Sequence, residues 1–178
     1  MPQPARYRSL SIALHWGMLA LIALTYAAIE LRVLWERGTP ERSWLREMHF
    51  GLGLLVLALV LVRLVARLRG AAPPITPPLP AWQRLASHAV HGLLYAFMLG
   101  MPLVGWWMLS LRGDEVMFFG WQLPPLAAED KDLGKWLRGW HGDIGRIFYG
   151  VLGLHAAAAL YHHHVRRDDT LRRMLPGR

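Results

Sequence analysis

The sequence predicts an all-α integral membrane protein, a four-helix bundle with both termini on the cytoplasmic side. Three observations carry that prediction. First, 54% of the 178 residues are hydrophobic and 18% charged, against roughly 45–50% and about 25% in soluble domains, and the mean hydropathy is +0.24. Second, four stretches carry no Asp, Glu, Lys or Arg: Ser9–Ile29, Met48–Val62, Leu85–Leu111 and Ile147–Val165. Third, the basic residues fall mostly on one side of those stretches. The absence of cysteine excludes disulfides, thiolate zinc sites, iron–sulfur clusters and covalent attachment of a c-type haem.

About 20 residues at ~1.5 Å rise cross a ~30 Å hydrocarbon core, so the first, third and fourth stretches suffice unaided. The second is shorter, and Arg63 and Arg67, one turn apart at its far end, extend it by snorkelling. The expected helices run from about 9 to 30, 47 to 68, 85 to 111 and 140 to 165, within one membrane domain spanning 1–178. Read as a signal peptide the first stretch is too long in its apolar core, and His15-Trp16 would be odd in a segment destined for removal. Between helices 2 and 3, Ala71–Pro80 holds five prolines, which suit an extended connector. The 3–4 loop, Arg112–Trp140, is the longest extramembrane piece and is expected to lay a short amphipathic segment over the outer face.

On the side of the termini lie Arg6, Arg8, Arg63, Arg67, Arg69, Arg84, Arg166, Arg167, Arg172, Arg173 and Arg178, against only Asp168 and Asp169. The opposite loops balance eight basic residues with nine acids. The positive-inside rule therefore puts both termini in the cytoplasm. The pI near 10.8 is mostly a topology signal, and no nucleic-acid partner is expected. Trp35, Trp44, Trp106, Trp107, Trp121, Trp136 and Trp140 fall near the outer boundary, as an interfacial belt would.

Histidines inside spans are costly and mark function. His141 and His155 are fourteen residues apart, four helical turns less about 40°, and so share one face ~21 Å apart. His15 on helix 1 is level with His155 in the inner half, and His49 on helix 2 is level with His141 near the outer boundary. Two imidazoles on opposite helices fit the axial positions of a haem iron. Zinc would want further carboxylate or thiolate ligands, and no acid lies deep in a span. Gly17, Gly51, Gly53, Gly142 and Gly145 lie near these histidines and suit either a flat porphyrin or close helix packing.

Ser-Ile-Ala-Leu-His15-Trp16, Glu47-Met48-His49, Trp140-His141, Leu154-His155-Ala-Ala-Ala-Ala-Leu160, His162-His163 and Asp169-Thr170-Leu171 together resemble the bacterial di-haem cytochrome b561 family, from Arg6 to Pro176. The likeness is greatest to its small four-helix members that act as superoxide oxidases. In the wider family helix 4 supplies one ligand to each haem. The resemblance thus implies two haem b, with iron ligands His15 and His155 inside and His49 and His141 outside, in a bacterial inner membrane. It further implies electron transfer from periplasmic superoxide to ubiquinone. The alternative is a non-catalytic haem-b subunit linking a periplasmic dehydrogenase or cytochrome to the quinone pool.

His162 is seven residues past His155 and on the same face. His88 and His91 open helix 3 and share a face. His91, His162 and His88 are candidates for a quinone pocket, where imidazole can deliver protons. His88 or His91 as the inner haem ligand is the competing assignment, and His163 and His164 read as interfacial. Lys135, Arg138 and Arg46, with Arg42 and Lys131, could draw superoxide to the outer haem edge, or merely neutralise haem propionates, pair with Glu47 or Asp132, or face water.

Overall fold

The computed structural model describes residues 6–70 and 72–176. Arg178 of the basic count and Ala71 of the connector lie outside the described residues. Four helices form the protein: α1 (Ser9–Leu31), α2 (Pro40–Leu68), α3 (Ala81–Leu111) and α4 (Lys131–Tyr161). All four are long and apolar enough to cross a membrane, as their composition predicts.

Helices α2, α3 and α4 begin earlier than the expected residues 47, 85 and 140. The added turns lie beyond the apolar stretches, and local chemistry starts them. Pro40 occupies the first turn of α2, where its missing N–H costs nothing. Asp130 caps α4 by accepting a 3.0 Å bond from the Leu133 N–H. After α1 the chain makes a 3₁₀ turn, Arg32–Leu34, and Arg42 Nη1 donates to the Trp35 carbonyl at 2.7 Å.

The α3–α4 connection departs from expectation. Instead of an amphipathic segment it forms a two-stranded antiparallel hairpin, β1 (Val116–Phe118) with β2 (Trp121–Leu123). Phe119 and Gly120, between the paired Phe118 and Trp121, both have positive φ, which matches the twist of a two-residue hairpin turn. The hairpin starts where it does because α3 stops sharply. Gly113 has φ +73, its N–H bonds the Ser110 carbonyl, and the Asp114 N–H bonds the Leu109 carbonyl. These are the paired bonds of a Schellman terminus.

Successive helices pack on one another, α1 on α2, α2 on α3 and α3 on α4. Mid-bundle, Met18, Leu21, Ile22, Val56, Val60, Leu94, Met98 and Phe148 form a buried apolar layer, in which Phe97 and Phe148 stack face to face. Outward-facing Leu, Ile, Val and Trp side chains remain exposed on all four helices, as lipid contact requires.

Beyond α4 the chain makes one π-helical stretch, His162–Arg166, and a left-handed residue, Arg167. The segment after it turns back beneath the bundle. There the Tyr7 N–H bonds the Arg173 carbonyl and Trp16 Nε1 donates to the Met174 carbonyl at 2.7 Å, so both chain ends meet at one end of the bundle.

Gly113→Ala should lower stability by about 1 kcal/mol, because alanine pays for the left-handed conformation that glycine adopts freely. Thermal unfolding in detergent, followed by helical circular dichroism, would show the lower melting temperature.

Candidate functional site

The apolar layer divides the bundle interior into two cavities, one at each end. The outer cavity has a volume of about 320 Å³ and is lined by His49 of α2 and His141 of α4, with Thr25, Tyr26, Gly53, Gly105, Gly142 and Gly145 among its walls. The inner cavity, about 440 Å³, is lined by His15 of α1, His91 of α3, and His155 and His162 at the end of α4. Both fall in the size range of small-molecule and cofactor sites.

The fourteen-residue spacing on α4 does what its periodicity dictates: His141 looks into one cavity and His155 into the other. His49 and His141 have ring centroids 6.2 Å apart, and His15 and His155 6.1 Å. Two imidazoles on opposite sides of one metal, each bound at about 2 Å, place their centroids about 6 Å apart. His91 is nearer His155, at 5.3 Å, which is tight for that arrangement. No group of three or more His, Cys, Asp or Glu that could cage a bare metal ion occurs among the described residues.

The surroundings of the outer pair suit ligation. His49 Nδ1 donates to the Thr25 carbonyl at 2.9 Å, which leaves Nε2 unprotonated toward the cavity. His141 Nδ1 is buried without a hydrogen-bond partner. A methyl added at Gly53 or Gly145 would meet no atom within 4 Å, so open space adjoins the rings. Tyr26 Oη donates to the Gly145 carbonyl at 2.8 Å and Tyr149 Oη to Glu30 at 3.1 Å. These two bonds bridge α1 and α4 at the cavity's outer half.

The inner pair is less plainly set. Arg63 Nη2 donates to His15 Nδ1 at 3.0 Å, the nitrogen from which a metal-bound histidine ordinarily donates. His91 Nδ1, by contrast, donates to the Ser87 carbonyl at 2.6 Å. His88 does not reach the cavity: it is exposed, and its Nδ1 donates to the Arg84 carbonyl at 2.8 Å. The stripe of α3 that lines the cavity runs through Gln83, Ser87, Val90 and His91, and position 88, about 60° round the helix from 91, lies off it. His163 and His164 do not line the cavity.

The expected outer basic patch divides. Arg42, Arg46 and Arg138 lie within electrostatic reach of Arg32, which lines the mouth of the outer cavity. Lys135 lies apart, in a shallow surface hollow with Asp132 and Asp143, and Lys131 pairs with Glu129 at 3.9 Å.

Sequence reasoning counted Asp168 only as a charge. The structure buries it, at 1% exposure, against the inner cavity's floor. Its Oδ2 accepts from His162 Nδ1 at 2.6 Å and from Arg166 Nε at 3.3 Å, and its Oδ1 accepts from the Thr170 N–H at 3.0 Å. Burial alone would raise this carboxyl, but the hydrogen bonds from His162 and Thr170 outweigh it and hold it below the ordinary carboxylate value. Nearby, Arg173 is buried, ion-paired with Asp169 at 3.4 Å, bonded to the Pro73 carbonyl and placed over the Tyr7 ring. No local sequence pattern distinguishes these buried charges from the solvated basic run around them.

A family model of prokaryotic cytochrome b561 matches residues 6–177. The chain is 35% identical over 173 residues to cytochrome b561 homolog 1 of Escherichia coli strain K12, covering 97% of this chain and 98% of that protein. It is 36% identical over 172 residues to the probable superoxide oxidase CybB of Yersinia pestis, covering 96% of each. Cytochrome b562 of Cereibacter sphaeroides is 28% identical over the whole of both chains. The chain belongs to the prokaryotic cytochrome b561 family. It is thus a multi-pass bacterial membrane protein of transmembrane electron transfer, and its family implies haem b.

A carboxyl held low stabilises the fold above its unfolded value of about 3.9, and the contribution vanishes as pH falls through the folded value. Melting temperatures should therefore drop more between pH 5 and pH 3 in the parent protein than in Asp168→Asn.

Proposed function

We propose that this protein carries electrons across the membrane through two haem b groups, oxidising superoxide on the periplasmic side and reducing ubiquinone near the cytoplasmic side. The observation that supports it most is the pair of end-to-end cavities, each holding two histidines from different helices at the separation one metal would need. His49 and His141 are the ligands of the outer haem, and His15 and His155 of the inner. Held by these histidines, haem would supply one-electron transfer. For His15 to serve, Arg63 must release its Nδ1 and Nε2 must lose its proton.

The other residues have separable tasks. Arg32, Arg42, Arg46 and Arg138 give the outer mouth a positive field in which an anion such as superoxide is concentrated. Each superoxide yields one electron and leaves as dioxygen, so two are needed for one quinone. His91 and His162 border the inner cavity that receives the quinone, and their imidazoles can bond its carbonyl oxygens. The Tyr26 and Tyr149 bonds hold α1 and α4 in place beside the outer cavity. The basic excess at the end where the termini meet favours a cytoplasmic location for that end and residence in the inner membrane. The name borne by the Yersinia pestis relative supports superoxide as the donor.

Purified protein supplied with enzymatically generated superoxide and a soluble ubiquinone should reduce the quinone and consume superoxide in a ratio of about one to two. If quinone stays oxidised under superoxide but is reduced when a co-purifying periplasmic partner supplies the electrons, the protein is an electron-transfer subunit of another enzyme.

His141→Ala should lower bound haem from about two per chain to about one with the inner haem retained, and His15→Ala should do the reverse. Pyridine haemochrome content and low-temperature absorption bands would distinguish them. Loss of neither haem would refute the pairing.

A further inference from the structure

His162 borders the inner cavity by way of its ring, yet one of its two nitrogens is already committed. The π-helical turn it begins and the left-handed Arg167 swing the chain so that Asp168 comes back beneath it, and the Asp168 N–H bonds the His162 carbonyl at 3.1 Å. Backbone and side chain thus clamp the two residues together. The carboxylate is wholly buried, and both its oxygens are satisfied by His162, Arg166 and the Thr170 N–H.

We propose that Asp168 is a positioning residue for quinone reduction: it holds the His162 ring through Nδ1, so that Nε2 is the nitrogen presented to the inner cavity and the atom from which a proton passes to the quinone oxygen. The inference rests on the inner cavity receiving a quinone. The balance is simple. Two superoxide anions supply two electrons and leave as dioxygen. The quinone oxygen facing His162 takes its proton from Nε2 and the other takes one from water, so that both C=O bonds become C–O–H. His162, protonated on both nitrogens, gives up its Nε2 proton and is left as the neutral ring with Nδ1–H still bonded to Asp168, which stays ionised throughout. Water at the cytoplasmic end restores the Nε2 proton. A carboxylate bonded to Nδ1 fixes which nitrogen faces the cavity, as a buried carboxylate does for other imidazole acid–base groups. The charged and titratable groups that line the inner cavity with His162 are Tyr7 and Arg8 before α1, His15 of α1, Arg63 and Arg67 of α2, His91 and Tyr95 of α3, His155 and Tyr161 of α4, and Arg173. None of them is an acid. Among the described residues lining the cavity there is therefore no second carboxylate to replace Asp168.

The test uses the full-length holoprotein, with Asp168→Asn, His162→Gln and the double variant. Asp168→Asn should keep both haem absorption bands and their reduction by dithionite. Its kcat for quinone reduction should fall about 10–100-fold, with a smaller change in KM for quinone. His162→Gln should fall at least as far, and adding Asp168→Asn to it should cost nothing more, since both act through one ring. Unchanged turnover in either single variant, or an equal further loss in the double, would overturn the proposal. A second readout does not depend on the Asp168 variant folding. In 15N-histidine-labelled protein, with the His162 signals assigned by their loss in His162→Gln, the neutral ring should carry its proton on Nδ1. A proton on Nε2 refutes the proposal. If the unaltered protein passes no electrons to quinone at all, the quinone reading fails, and the tautomer measurement still decides whether Asp168 orients His162.

Discussion

The pitch of a single helix governs this molecule. Because α4 is α-helical without a break from Lys131 to Tyr161, residues fourteen apart return to one face displaced by roughly two-thirds of a bilayer core. That fact fixes where two cavities can be, since each must have a wall on α4. It also fixes which partner each histidine of α4 can meet. α1 runs antiparallel to α4, so its early residue His15 meets the late His155, whereas α2 runs parallel to α4, so its early residue His49 meets the early His141. The apolar layer from Met18 to Phe148 fills the interval. A shift of one residue in the spacing would rotate one ring by about 100° out of the interior, and no adjustment of the other helices could recover it.

The fold was legible to the extent that lipid imposes it. Hydrocarbon tolerates neither charge nor unpaired backbone, so the uncharged stretches announce the helices. The depth-matched histidines follow from counting turns along them. What lies outside hydrocarbon was less legible. The first turns of α2 and α4 are polar, and they obey Pro40 and Asp130 where apolar counting sees only loop. The hairpin rests on three-residue strands and on Phe119 at a positive φ, a conformation its side chain does not advertise. Arg63 was readable as a snorkelling residue but not as a neighbour of His15, because that contact joins α2 to α1 across the inner cavity. His88 and His91 share a face by spacing, yet only tertiary placement decides that one is inside and the other at the surface.

Charge is used in two distinct ways at the two ends. Near the outer cavity Arg42, Arg46 and Arg138 lie within electrostatic reach of Arg32, with Glu30 opposing them there, so the local field is positive. At the inner floor the cations are individually answered: Arg166 by Asp168, Arg173 by Asp169 and by the connector's Pro73 carbonyl. An open field suits a small anion arriving by diffusion from water. A closed, mutually satisfied network suits a site that must keep its shape while a large apolar molecule with two polar oxygens enters from lipid.

The fold-back that brings Met174 to Trp16 also sets an order of construction. His15 and Trp16 are made long before the segment that floors the inner chamber, which is not complete until the chain has been made as far as residue 174. The outer chamber's last wall residue is Tyr149. Translation at about 5–20 residues per second therefore completes the outer chamber a second or more ahead of the inner. The walls of one chamber are thus complete while the other still stands open. The two ends of the electron path would then be finished in sequence, with the floor at Asp168 and Arg173 closing last.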